Sequence, residues 1–260
     1  MVQVLRRIRW GIVAISICTI SGCAIAASAF SAAAGDKKDA AKPSVSQEVD
    51  SGSFGVMVRG QRVVTETFSV RQENDISIVK SQLQEAGSSP SINQKSELRM
   101  MASGELVRYD WTDGSGSLAV TPKDEFLLEK ITASPSAKAA ERPFLMPNTS
   151  AILDNNFFIQ REILVWRYLA TNCHTDGSNL KCQQGPVEFG ALVPQDRTSI
   201  RVRVELTGRE KVTIHDAERE LLRLSLKGEA FSWTLWVDDK DHFKVLRVDI
   251  PEDNTQVVRD

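Results

Sequence analysis

The chain has 260 residues, a quarter of them charged, and a formal charge of −2 at neutral pH. No surplus of basic residues is present from which a stripe neutralising a run of phosphates could be built, which argues against nucleic acid as a partner. The apolar fraction of 42% is that of a globular protein with a sizeable core.

The first element in chain order is an export signal. Arg6, Arg7 and Arg9 precede an apolar run over residues 10–20, which ends in Ile20-Ser21-Gly22-Cys23. A positive start and a short apolar core fit a segment read by a secretion machinery, and the core is short for a membrane span. Ile-Ser-Gly-Cys resembles the bacterial lipobox, in which the cysteine becomes the lipidated first residue. Cys23 qualifies and Cys18 does not, because Cys18 follows Ile17 where the motif wants a small residue. Three readings stay open: lipidation at Cys23, cleavage at Ala27-Ser28-Ala29, and an uncleaved anchor over residues 10–34. Residues 35–53 are rich in Lys, Ala, Ser and acids without apolar periodicity and read as a flexible tether. The resulting division is 1–22 signal peptide, 23–53 lipid anchor and linker, and 54–260 a single β-rich domain, placed in the bacterial periplasm. Loss of residues 1–22 removes three arginines and no acid, leaving a formal charge of −5.

From Phe54 onward, short stretches rich in Val, Ile, Thr and aromatics alternate with turn signals, the rhythm of antiparallel β structure. Strands are expected over 54–58, 63–68, 76–84, 96–101, 106–111 and 125–131. Residues 114–117 and 134–147 read as loops. In the C-terminal half Ile200, Val202, Val204 and Leu206 alternate with Arg201, Arg203 and Glu205. Thr207-Gly208 is then read as leading to a separate strand at 212–214, followed by strands at 221–226, 231–237 and 243–250 in a meander of hairpins. Leu246, Val248 and Ile250 are expected on one face.

Between the two sets of strands, Asp154 can cap a helix over about 155–170. Apolar residues lie around most of it, leaving Gln160, Arg161, Glu162 and Arg167 as its clearly polar positions, so other structure must enclose it. The remaining cysteines, Cys173 and Cys182, flank a polar turn-forming stretch. Export and spacing favour a disulfide, worth roughly 2.5–3 kcal/mol on the chain-entropy model, over a metal site with His174 or free thiols.

A curved antiparallel sheet wrapped around one long internal helix, an open or half barrel, resembles the bacterial lipoprotein-carrier proteins of the LolA and LolB type. The residues that carry the likeness are the opening hairpin from Val56 through Arg59-Gly60 to Phe68, the stretch from Gly104 to Tyr109, and the helix start Leu153-Asp-Asn-Asn-Phe-Phe158. The resemblance implies a cavity for acyl chains of client lipoproteins, with no binding residue carried over position by position.

Chemistry is sparse. No nucleophile elbow, metal-binding His-Glu-x-x-His, phosphate-cradling glycine loop or dinucleotide fingerprint appears. His174, His215 and His242 fall in turns or at strand ends. The expectation is therefore a non-catalytic protein with no metal and no cofactor. Trp111, Phe157, Phe158, Trp166, Phe231 and Trp233 are the candidate lining of a site for an apolar ligand, a lipid or a lipidated protein, since barrel-mouth pockets are largely aromatic. The same residues could instead simply fill the core of a structural or partner-binding envelope module. An exposed Trp236 would indicate a contact surface.

Overall fold

The computed structural model describes residues 46–85, 94–176 and 179–260; the expected signal peptide, Cys23 and the expected cleavage site lie outside them. Among the described residues no helix is long and apolar enough to cross a membrane. The fold is mainly β. The N-terminal strands are β1 (Ser46–Val58), β2 (Gln61–Glu73), β3 (Ile76–Glu85), β4 (Lys95–Met101), β5 (Leu106–Thr112), β6 (Ser117–Lys123), β7 (Phe126–Thr132), β8 (Ala140–Phe144) and the two-residue β9 (Ala151–Ile152). The helix α1 (Ile159–Asn172) follows, then β10 (Cys173–Asp176), β11 (Asn179–Cys182), β12 (Val187–Val193), β13 (Thr198–Ile214), β14 (Ala217–Lys227), β15 (Ser232–Asp238), β16 (Lys244–Ile250) and β17 (Thr255–Arg259).

Fifteen strands form one curved sheet in the order β8-β7-β6-β5-β4-β3-β2-β1-β17-β16-β15-β14-β13-β12-β9. Two hairpin meanders are thus joined where the first and last strands pair antiparallel, Phe54 opposite Arg259 and Val58 opposite Thr255. The edge strands β8 and β9 do not meet, so the sheet is not closed into a barrel. It is mixed rather than wholly antiparallel, because β9 runs parallel to β12. Inward-pointing residues of both meanders, among them Phe68, Val79, Leu98, Leu127, Leu224, Leu235, Val248 and Val257, form one apolar cluster with Phe158, Ile159, Leu164, Val165 and Leu169 of the helix region.

Several expectations change. The domain begins at Ser46, since residues 46–53 belong to β1 and not to the tether. They lack apolar periodicity because the buried member there is Asp50, ion-paired with Arg259 (2.6 Å), not a hydrophobe. Ser117 opens β6, and residues 140–144, inside the expected loop, pair with β7 as an edge strand bearing Glu141, Arg142 and Pro143, which discourage further pairing.

Thr207-Gly208 is a bulge within a 17-residue strand and not a turn. Gly208 sits at φ 141°, and the extra residue inverts the alternation, so Val212 and Ile214 fall on the outer face. A second register shift, opposite Trp236 and Val237, turns Leu246 outward while Val245 and Val248 stay inside. These residues meet Leu221 and Trp236 in a small outer cluster. The tip of the β13–β14 hairpin reaches β17, where His215 Nε2 lies 2.6 Å from the Arg259 carbonyl oxygen. The hairpin therefore curls over the outer face of the C-terminal meander. Trp236 is buried beneath it, 7% exposed, with its indole N–H donating to Glu210, and offers no contact surface.

Cys173 and Cys182 lie directly opposite each other in the β10–β11 hairpin and form a disulfide.

Candidate functional site

The helix starts four residues later than its apolar pattern suggests, and Asp154 does not cap it. The cap comes from β2. The Phe158 N–H donates to Glu66 Oε2 (2.5 Å) and the Ile159 N–H to Glu66 Oε1 (3.3 Å), while the Ser81 hydroxyl donates to Oε1 (2.6 Å). A carboxylate at a helix N-terminus satisfies orphan amides and opposes the helix dipole. Burial nonetheless dominates and pushes the Glu66 carboxyl up to about 7, with the Ser81, Phe158 and Ile159 hydrogen bonds and the Arg161 charge pulling the other way.

Asp154 instead anchors the preceding loop. Its carboxylate accepts from the Tyr109 hydroxyl, the Gln195 amide and the Asn156 N–H, and its own N–H donates to Gln160 Oε1 (2.5 Å). Burial raises the Asp154 carboxyl and, even more, the Tyr109 hydroxyl. Arg161 completes the cluster. It donates through Nη1 to the carbonyls of Asp154 and Phe157, and its guanidinium lies 5.2 Å from the ring centroids of both Phe158 and Trp233. Burial lowers Arg161 to about 10, and the neighbouring Asp154 and Glu66 keep it from falling further.

Next to Arg161 in the first turn, Glu162 Oε2 accepts from the Val245 N–H (2.7 Å) and from Arg259 Nη1 (2.9 Å). Arg259 also holds Asp50 and packs over the rings of Phe54 and Phe68, so one guanidinium ties α1 to both β1 and β17. Burial and the facing Asp50 raise Glu162 well above the carboxylate range. Burial would raise Asp50 too, but Glu162 and Arg259 together hold it low, so the pair's proton resides on Glu162. Gln160, Arg161 and Glu162, three of the four clearly polar positions of the helix, are thus almost wholly buried. Arg161 meets the acids Asp154 and Glu66, and Glu162 meets Arg259 and Asp50, with Glu66, Arg259 and Asp50 distant in sequence.

The six aromatic candidates divide. Phe157, Phe158 and Trp233 are buried in packed surroundings; Phe231 is half-buried with its ring 4.8 Å from that of Trp233. Trp166 is half-buried and donates to the Phe243 carbonyl (3.0 Å), and Trp111, also half-buried, donates to Gln94 (3.3 Å). The structure brings Phe158 and Trp233 together around Arg161, sets Phe231 against Trp233, and leaves Trp111 and Trp166 apart. Beside the helix, bounded by Leu98, Leu106, Ile163 and Leu164, is a crevice of about 20 Å³, room for roughly one water.

The large hollow is elsewhere. A trough of about 940 Å³ lies on β2 to β7, lined chiefly by residues of the opposite parity to the core. Strand register arranges its side chains in cross-strand rows. One runs Thr67, Gln82, Lys95, Thr112, Ser117, Thr132, each directly opposite the next. The adjacent row runs Ser69, Lys80, Glu97, Asp110, Ala119, Lys130. Ion pairs occupy much of the second row: Lys80 and Arg99 with Glu97 (3.4 and 2.5 Å), Arg108 with Asp110 (2.6 Å) and Lys130 with Glu141 (3.8 Å).

The residues that sequence reasoning missed left one signal. Glu66 interrupts Val64, Phe68 and Val70, and Glu129 separates Leu127 from Ile131, each an acid at an inward position of a strand. Among the described residues no group of three or more His, Cys, Asp or Glu side chains is placed to hold a metal. Comparison with protein-family models, with curated proteins and with solved structures gives no match.

Proposed function

We propose that this protein is a non-catalytic binding module of the bacterial envelope, held to a membrane through its N-terminal segment, whose sheet curves round α1 to make a filled core and whose polar trough engages the partner. One contrast carries the reading: the space beside the helix amounts to about 20 Å³, whereas the trough on the other face offers about 940 Å³. An acyl chain has no room at the first, and a partner has room at the second, whose lining is mostly polar residues with Trp111, Leu118 and Leu128 among them. The disulfide between Cys173 and Cys182 supports an oxidising compartment. The lipobox-like Ile20-Ser21-Gly22-Cys23 supports the tether. The likeness to the LolA and LolB carriers supports the envelope setting, while their acyl-chain function is the reading that the filled interior disfavours.

Native mass spectrometry of the protein purified from its own envelope, with titration of a fluorescent fatty acyl probe, tests the interior. No copurifying lipid and no saturable probe binding are expected. In cells, a photo-crosslinker at Gln82 should form an adduct that one at Lys227 does not, and Cys23→Ser should release the protein from the membrane fraction or leave its precursor unprocessed. A stoichiometric lipid, with probe affinity altered by Trp166→Ala, would return the site to the interior aromatics.

A further inference from the structure

We propose that the trough binds a linear, hydroxyl-rich polymer with sparse negative charge, an acidic polysaccharide, laid across strands β2 to β7. The inference rests on the proposed role of the trough as the binding surface and adds the class of ligand.

The row Thr67, Gln82, Lys95, Thr112, Ser117, Thr132 crosses six strands without a register break. At a strand spacing of about 4.8 Å it extends for about 24 Å. Four of its six members are hydroxyls and one is an amide, groups that both donate and accept hydrogen bonds; Thr112 and Thr67 already donate to the Gly116 and Gln82 carbonyls, which leaves Gln82, Ser117 and Thr132 as the donors for a ligand. Sugar hydroxyls have the same dual character, and the strand spacing is close to the advance of one pyranose unit in an extended chain. A single cation, Lys95, stands in this row, and in the next row Lys80 and Lys130 already meet Glu97 and Glu141. Such a surface matches a ligand that is mostly hydroxyl with an occasional carboxylate.

A polyacidic peptide is the poorer fit. It would want a higher density of unpaired cations. Its backbone would also seek free N–H and C=O groups, whereas β2 to β7 are interior strands whose backbone groups are engaged with neighbours on both sides.

The test uses the full-length protein in detergent and follows affinity electrophoresis through gels containing polygalacturonate, dextran or poly-L-glutamate. Polygalacturonate should retard the protein most. Lys95→Glu should weaken that binding about tenfold or more, Ser117→Ala and Thr132→Val each about threefold, and Lys227→Glu should leave it unchanged. Circular dichroism melts of each variant separate lost binding from lost fold. Equal or stronger retardation by poly-L-glutamate, with the same sensitivity to Lys95→Glu, would overturn the saccharide in favour of an acidic protein segment. If no polymer retards the protein but the crosslinker at Gln82 yields a protein adduct in cells, the saccharide is overturned and the trough's binding role stands. Neither polymer binding nor a specific adduct would overturn both.

Discussion

The Glu66 carboxylate on β2 accepts the backbone N–H of Phe158, 92 residues later in the chain, and thereby caps a helix that has no side-chain cap of its own. This one contact fixes where α1 begins and holds its first turn against the inner face of the sheet.

The Glu66 carboxyl ordinarily titrates near 4.5 and is raised to about 7 by burial. The folded protein therefore binds the proton more tightly than the unfolded chain. The resulting stability is full below about pH 4.5 and is lost as pH rises through about 7, a change of about 3 kcal/mol. Urea unfolding at pH 5 and pH 8 should show this loss in the wild type. Glu66→Gln, which keeps an acceptor for the helix amides, should remove that share of the loss and leave a shallower profile. Glu66→Leu strands the amides and should be destabilising at both pH values. An unchanged pH profile in Glu66→Gln would remove Glu66 as its source.

Arg161 should matter more to stability than the aromatic Trp166 on the same helix. Arg161→Ala leaves Asp154 and Glu66 without a buried countercharge and should lower stability by about 3–5 kcal/mol. Trp166→Ala, at a half-buried position, should lose less. Arg161→Lys should not fully rescue, because an ammonium lacks the planar guanidinium that lies over the Phe158 and Trp233 rings. Chemical denaturation ranks the three variants, and a larger loss in Trp166→Ala would contradict the inward-facing guanidinium.

The bulge at Thr207-Gly208 turns the β13–β14 hairpin over Trp236. Gly208 at φ 141° occupies backbone space that a β-branched residue cannot enter without strain, so Gly208→Val should cost about 1–3 kcal/mol. Loosening of the hairpin should also make Trp236 more accessible to acrylamide, read in a variant whose other four tryptophans are replaced by phenylalanine. Full protection of Trp236 in the Gly208→Val background would show that the hairpin closes without the bulge.

Mass spectrometry under non-reducing conditions should find Cys173 and Cys182 bridged and unreactive to alkylation. The double substitution to alanine should lower stability by roughly 2–3 kcal/mol, the scale expected for so short a loop. Two alkylatable thiols in freshly isolated protein would contradict the bridge.

Much of the β framework was legible because its signal is local. Alternation at 200–206 and 222–226 reports one wet and one dry face, and the turn signals between strands set the hairpin order. The disulfide was legible too, from two cysteines flanking a turn. The two bulges were not. A single extra residue inverts the faces of everything beyond it, so Val212, Ile214 and Leu246 sit on the side opposite to that of a regular strand, and only cross-strand register reveals the inversion.

By itself the sequence determined a mainly β chain with one helix, a short turn closed by cysteines and an N-terminal signal-like segment, because periodicity, turn residues and apolar runs are properties of neighbouring positions. Tertiary packing set the inward direction of Gln160, Arg161 and Glu162 and left a crevice of about 20 Å³ beside the helix. It also decided that an open trough lies on the polar face of β2 to β7. Whether an ionisable group can be buried depends on what meets it, and Glu66, which faces Arg161, and Asp50 and Arg259, which face Glu162, lie some hundred residues away on strands that pair at the centre of the sheet.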